Sequence, residues 1–247
     1  PIFEAASCRV LGLSVLQAGR REEGRDWERE ALALAERIGR PSVIAAAHNN
    51  LALAENHLGN YAAAESGYQS ALDCWRGMQA VANVGRALHN LGVVARRRGD
   101  AATALTRYRE ALDWLRKAGD RNLIALNLMS TGDVLLRLGR AAEARDIAQQ
   151  ALDMAEADGH MLPALDARIV LAQAALQSHD HAEAARQLTR VLDGAAERHY
   201  ANVLADAVVT VARLVCDAVP NDCGAAMNWA AEVAAMNDIS ASIRADA

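Results

Sequence analysis

Aromatic side chains are scarce in this chain: they make up 4% of 247 residues, with a single Phe. Strands favour aromatic and β-branched residues in strict alternation, so the scarcity argues against a sheet protein. Lysine is almost missing as well, Lys117 being the only one. The preference for Arg points to a GC-rich bacterial source. No excess of positive charge compensates, because the net charge is −5 and the pI is near 5.8. A direct nucleic-acid binder usually shows a basic face or domain, and none is evident. No apolar run reaches about 18 residues, so no membrane-spanning helix is expected, and no signal-peptide pattern is present. Walker, GxSxG and HExxH motifs are all missing, so the chain is read as a non-enzyme that needs no cofactor. Cys8, Cys74, Cys216 and Cys223 form no CxxC pair. Cys216 and Cys223 straddle the turn at Pro220 and could come close. The expected role of all four is as small packing residues in a reducing cytosol.

What the chain does have is a register. Gly59, Gly99 and Gly139 each close an apolar segment, 40 residues apart, with Gly19 in phase upstream. Ala52, Gly92, Gly132, Ala172 and Gly12 share a position that is always small. Ala64, Ala104, Ala144 and Ala184 fall in step, as do Leu72, Leu112, Leu152 and Leu192, each followed by Asp. Self-similarity at a period of about 20–50 residues marks a solenoid, propeller or array. Within one unit Leu88, Leu91, Gly92 and Ala95 recur at helical spacing, and Ala104, Tyr108, Ala111 and Leu112 do so again after Gly99. Ala, Leu, Arg and Glu dominate, all strong helix formers. Each unit is therefore two antiparallel helices joined by a short turn.

Leu91-Gly92, Gly99, Ala104, Tyr108, Ala111 and Leu112, with Ala52, Gly59, Tyr61, Ala64, Tyr68, Ala71 and Leu72, resemble the tetratricopeptide repeat. The unit departs from the usual 34 residues by running to 40, with the additional residues placed after the second helix so that both helices can be longer. The usual first-helix Trp is replaced by His48, Leu88, Leu128, Arg168 and Val208. The His-Asn-Leu-Gly run resembles kinesin light chain and the spindle-orientation adaptors. It equally resembles the sensor regions of bacterial signal-transduction ATPases and transcriptional activators, including the maltose-regulon type. HEAT-like repeats share a period near 40. The resemblance implies an all-α, right-handed superhelical solenoid of about six antiparallel helix pairs. Residues 1–237 are expected to form one such domain, with units at about 2–40, 41–80, 81–120, 121–160, 161–200 and 201–237. Residues 238–247 read as a polar tail, and the whole as a fragment of a longer protein. The first pair should run over 2–18 and 25–37. Pro41 suits a first helical turn, and Asp222 should cap the last helix, ending near Asn237.

The candidate metal ligands His179-Asp180-His181 sit on a turn. Adjacent turn residues rarely aim at one point, and no fourth ligand is evident, so no metal is expected. Trp27, Trp75, Trp114 and Trp229 fall on second helices and read as packing residues; an exposed one would mark an outer contact surface.

The resemblance implies that first helices line a concave groove. Opposite Leu91-Gly92, helical spacing gathers Arg86, His89, Asn90, Val93, Arg96 and Arg97. Equivalent positions upstream are Arg9, Asn49, Asn50 and Leu53; downstream they include Met129, Asp133 and Ile169. The first three units place arginines there and no acid. The last three place Asp133, Asp166, Asp206 and Asp217 against Arg137 and Arg213. An apolar patch is expected at Leu126, Met129 and Ile169. Arg9, Asn50 and Arg86 also match places in the carboxylate-clamping set of some tetratricopeptide domains, whereas Leu13 and Asn90 depart from it. These residues point to a cytoplasmic, non-catalytic module binding a protein or peptide segment, such as another domain of its own chain. It would be the sensor or scaffold of a bacterial signalling or transcriptional regulator. The alternative is a small-molecule inducer sensor of the maltose-activator type. A sugar site wants stacking aromatics, and the groove positions supply none.

Overall fold

The computed structural model describes residues 2–198, 201–219, 223, 224, 226–228 and 230. Among them there are eleven continuous helices, further helical residues at 223, 224, 226–228 and 230, and no strand. The chain is an all-α solenoid of successive antiparallel helix pairs. It divides into two compact units, Pro1–Leu123 and Ile124–Ala247.

Unit 1 holds three hairpins. These are α1 (Ile2–Gln17) with α2 (Arg21–Ile38), α3 (Pro41–His57) with α4 (Tyr61–Gly77), and α5 (Val81–Arg97) with α6 (Ala101–Ala118). In unit 2, α7 (Arg121–Arg137) is followed by α8 (Ala141–Ala157), then α9 (Met161–Gln177) pairs with α10 (His181–Arg198), and α11 (Ala201–Ala218) follows. The boundary between units falls inside the first turn of α7. Pro41 opens α3 as expected. Helix α2 starts at Arg21, four residues before the expected Arg25. Its first turn carries Glu22 and Glu23, which suit the positive end of the helix dipole. The expected cap at Asp222, Trp229, the end at Asn237 and the tail 238–247 lie outside the described residues.

The turns explain the period. Positions 19, 39, 59, 99, 119, 139 and 159 are glycines at positive φ, between 67° and 83°. They recur every 20 residues, so the 40-residue unit is two nearly equal halves. Around Gly99 the chain makes the paired bonds of a Schellman stop, Asp100 N to Ala95 O at 2.9 Å and Gly99 N to Arg96 O at 3.0 Å. A left-handed residue there satisfies carbonyls the helix would otherwise strand. Two turns use other residues: Gln79 and His179 stand at φ 54° and 56°. Asp100 and Asp180 then restart the chain by accepting from Thr103 N and Glu183 N, both at 3.0 Å.

The second and third hairpins of unit 1 close on rigid rings. Tyr68 and Tyr108 are fully buried. A Cβ on Gly92 would lie 2.5 Å from the Tyr108 ring, so α5 and α6 approach as closely as they do only because Gly92 has none. In unit 2 the core between α9, α10 and α11 is aliphatic, built on Leu165, Leu188, Val191, Val203 and Ala207. One expectation is corrected here. Cys216 and Cys223 are not separate packing thiols but form a disulfide, with Cα atoms 4.2 Å apart. Cys8 and Cys74 are free.

Candidate functional site

In unit 1 the first helices α1, α3 and α5 present the expected arginines and asparagines. Arg9, Asn49, Asn50 and Arg86, with Ser42 and Asn83, line a depression of about 200 Å³ walled by Trp75 of α4 and by Met78 just after it. Every polar group in that lining is a donor, or an amide or hydroxyl able to donate. No acid lines it. Among the described residues Arg86 is exposed and makes no hydrogen bond or ion pair. Leu53 and Val93 are half-buried on the same helices, and exposed Arg97 donates from Nη1 to Asn56 O at 2.9 Å.

The asparagines are partly committed to one another. Asn90 donates from Nδ2 to Asn49 Oδ1 at 3.1 Å, and Asn49 Nδ2 donates to Asn50 Oδ1 at 3.3 Å. Asn50 Nδ2 ends the line, buried and with no hydrogen-bond acceptor. His89 is not on the surface of the face. It is buried, its ring 5.3 Å from that of Tyr108. Burial, then the nearby Arg96 charge, pulls its pKa down to about 4, so it is neutral at pH 7.

Behind the depression lies a charge that the reading of first helices alone did not place there. Glu28, on α2, is completely buried, and neither carboxylate oxygen has a hydrogen-bond partner. Burial pushes its pKa up to about 7, against the opposing pull of Arg9 and of the Asn50 amide. The amide is close enough to favour the anion, yet its geometry closes no hydrogen bond. Arg9 Nε is likewise buried and unpartnered. The sequence carried a signal: Glu28 occupies the register position of Tyr68 and Tyr108. Gly12 faces it as Gly92 faces Tyr108, an added Cβ lying 2.7 Å from Glu28 Oε1. A second acid, Glu55 on α3, is also buried but satisfied, paired with Arg29 at 3.1 Å and accepting from Asn60 at 2.7 Å. The face expected to be free of acids therefore has two beneath it.

Unit 2 differs. Here α7, α9 and α11 line a depression of about 800 Å³ containing Asp133, Arg137, Gln173, Gln177, Arg213 and Asp217. Several of these are occupied. Asp133 pairs with Arg137 at 3.2 Å, Gln177 donates to Leu136 O at 2.8 Å, and Gln173 reaches Thr210 at 3.4 Å. Asp166 and Asp206 stand on neighbouring helices, and burial raises both pKa values, Asp166 further through the Asp206 charge. Of the expected apolar patch, Leu126 is exposed, Met129 half-buried and Ile169 buried. Among the described residues no three metal-ligating side chains converge. The His179 and His181 rings stand edge to face, 6.4 Å apart. Among the described residues Trp27 is the exposed tryptophan, over a cleft of about 770 Å³ with Glu30 and Leu34. Trp75 is buried, and Trp114 lies under the Lys117 ammonium at 5.0 Å.

The family pattern described as tetratricopeptide repeat matches residues 83–157. Residues 83–157 carry the tetratricopeptide repeat pattern. Solved structures agree on the fold. Aspartyl phosphate phosphatase F from Bacillus subtilis superposes with a TM-score of 0.76 at 14% identity, covering 94% of this chain and 60% of that one. The quorum sensor NprR from B. thuringiensis gives 0.71 at 21% identity, covering 85% and 59%. A signal-transduction ATPase from Pyrococcus horikoshii with a tetratricopeptide repeat sensor gives 0.73 at 14%, covering 86% and 33%. The chain thus spans about three fifths or less of each of these proteins. At these identities the likeness is one of fold. No curated protein sequence matches the chain. Among the described residues no helix is long and apolar enough to cross a membrane.

Proposed function

We propose that this chain is a non-catalytic module that binds a protein or peptide segment, acting as the sensor or scaffold region of a bacterial signalling or transcriptional regulator. The observation that carries this reading is the unit 1 face. Its donor-rich lining has an uncommitted arginine, Arg86, beside Asn83 and Arg9 and no acid at the surface. Arg takes a carboxylate in a two-pronged grip, and amides satisfy the backbone of an extended segment without reading its sequence. An acidic segment is therefore the preferred ligand. Two of the structurally similar proteins are named as a quorum sensor and as a protein with a repeat sensor, which supports a sensing role. At this face a small-molecule inducer is less well served. A volume of about 200 Å³ is below the roughly 300–1,000 Å³ of ligand pockets, and Trp75 on its wall is buried and offers no face for stacking.

The test is a peptide array probed with wild type and two variants. Truncating Arg86 and Asn83 together is expected to lower binding and its salt sensitivity, since exposed charges steer association and are screened. Asn90 is a poorer choice because Asn49 accepts from it. Arg145→Ala, an exposed change on α8, is expected to leave binding intact. Binding that survives the double truncation and is lost with Arg145→Ala would move the site to the second helices.

A further inference from the structure

The Glu28 carboxylate is buried behind the depression with Arg9, among the described residues, as the cation facing it, and Arg9 also lines the depression. We propose that when an acidic side chain of a bound segment takes Arg9, Glu28 takes up a proton from solvent, so that binding at unit 1 is coupled to protonation of Glu28. The inference rests on the acidic-segment reading above and adds its regulation.

Arg9 both faces Glu28 and lines the depression, so a ligand carboxylate there would share its guanidinium with Glu28. Without ligand, Arg9 offsets the cost of a buried anion at Glu28. Its Nε, buried and unpartnered, is held by no other acid. The remaining groups that face Glu28 cannot replace it. From α3 comes Asn50, which is neutral and whose Nδ2 closes no hydrogen bond to either oxygen. From α1 comes the Cys8 thiol, whose own pKa is raised by burial and by neighbouring acids, Glu28 among them. An arriving carboxylate draws on the same guanidinium and adds a second negative charge nearby. Both effects favour the neutral form of Glu28. Glu28 already titrates near neutrality, at about 7, so the extra push acts where a proton can be gained at physiological pH. The next two hairpins, which seat Tyr68 and Tyr108 in the same slot, have no such group.

The test uses a six-residue peptide of alternating alanine and glutamate, acetylated and amidated so that side-chain carboxylates are its only anions. Titration calorimetry at about pH 8, one unit above the midpoint of free Glu28, in HEPES and in Tris, reads the protons taken up from the difference in buffer heats. Wild type is expected to take up a substantial fraction of one proton per complex and to lose affinity up to about tenfold per pH unit above neutrality. Glu28→Gln is expected to bind with no uptake and no such pH dependence. Glu28→Leu, which has the register precedent of Leu188, repeats the measurement should the amide variant fail to fold. Binding by wild type without uptake, or uptake that persists in these variants, overturns the coupling and leaves the binding reading standing. A peptide that binds none of the three proteins overturns both.

Discussion

Hairpins α1/α2 and α5/α6 share one backbone plan and put different chemistry in the same slot. In the latter, Gly92 makes room for the Tyr108 ring, a rigid apolar body that fills the seam. In the former, Gly12 makes room for Glu28, a flexible acid with no partner for either oxygen. The first arrangement is a stability device. The second sacrifices stability at a position next to the donor-lined depression. The lesson is that a repeat conserves space rather than chemistry. Where a copy puts a charge into a slot its sisters fill with a ring, the surroundings of that charge are the place to look for function.

The largest expected effect breaks the sister slot. Tyr108→Ala removes a fully buried ring and should cost about 3–5 kcal/mol in urea unfolding. Glu28→Ala should cost far less at pH 8, because it also removes an unpaired buried charge. Equal losses would show that Glu28 packs as the tyrosine does.

The second effect concerns pH, and two groups in unit 1 oppose each other. Glu28 has its pKa raised from 4.5 to about 7. The folded state therefore binds more protons between those values, and stability is lost as pH rises through them, by roughly 3 kcal/mol in all. His89 has its pKa lowered from 6.5 to about 4. Its contribution is present above 6.5 and is lost as pH falls toward 4, by a similar amount. From about pH 4.5 to 6.5 the two slopes oppose each other, and the wild type should show a shallow profile. Glu28→Gln should unmask stability that rises with pH, and His89→Gln stability that falls. Two variants with the same slope in denaturant titrations across this range would refute the assignment.

The smallest effect compares the two glycines. Gly92→Ala must push against a ring and should cost about 1–3 kcal/mol. Gly12→Ala meets the far end of a flexible Glu and should cost less than half as much. A thermal unfolding shift that is larger for Gly12→Ala would mean the Glu28 carboxylate is held more firmly than its lack of hydrogen bonds implies.

Much of this architecture was legible beforehand. Gly19, Gly59, Gly99 and Gly139 announce the turns because a left-handed residue is cheapest as glycine. Leu88, Leu91 and Ala95 announce a buried helical face. The turns at Gln79 and His179 were not announced by residue type; only the spacing of their neighbours places them. The surface positions Arg9, Arg86 and Arg97 were legible from helical phase. The phase could not say that His89 and Asn50 sink below that surface, because depth depends on the neighbouring helices. Glu28 was visible as a departure from Tyr68 and Tyr108 in register, but an acid on a second helix reads naturally as solvated.

By itself the sequence determined the period, the helices and the small residues at their crossings, since all three follow from local rules of φ, side-chain phase and contact distance. Tertiary structure alone decided three other things. It turned the Asn49, Asn50 and Asn90 amides toward one another, and it joined Cys216 to Cys223. It also enclosed Glu28 behind Arg9. Each of these depends on which groups from separate helices meet and on how much water remains between them, and no one-dimensional pattern records that.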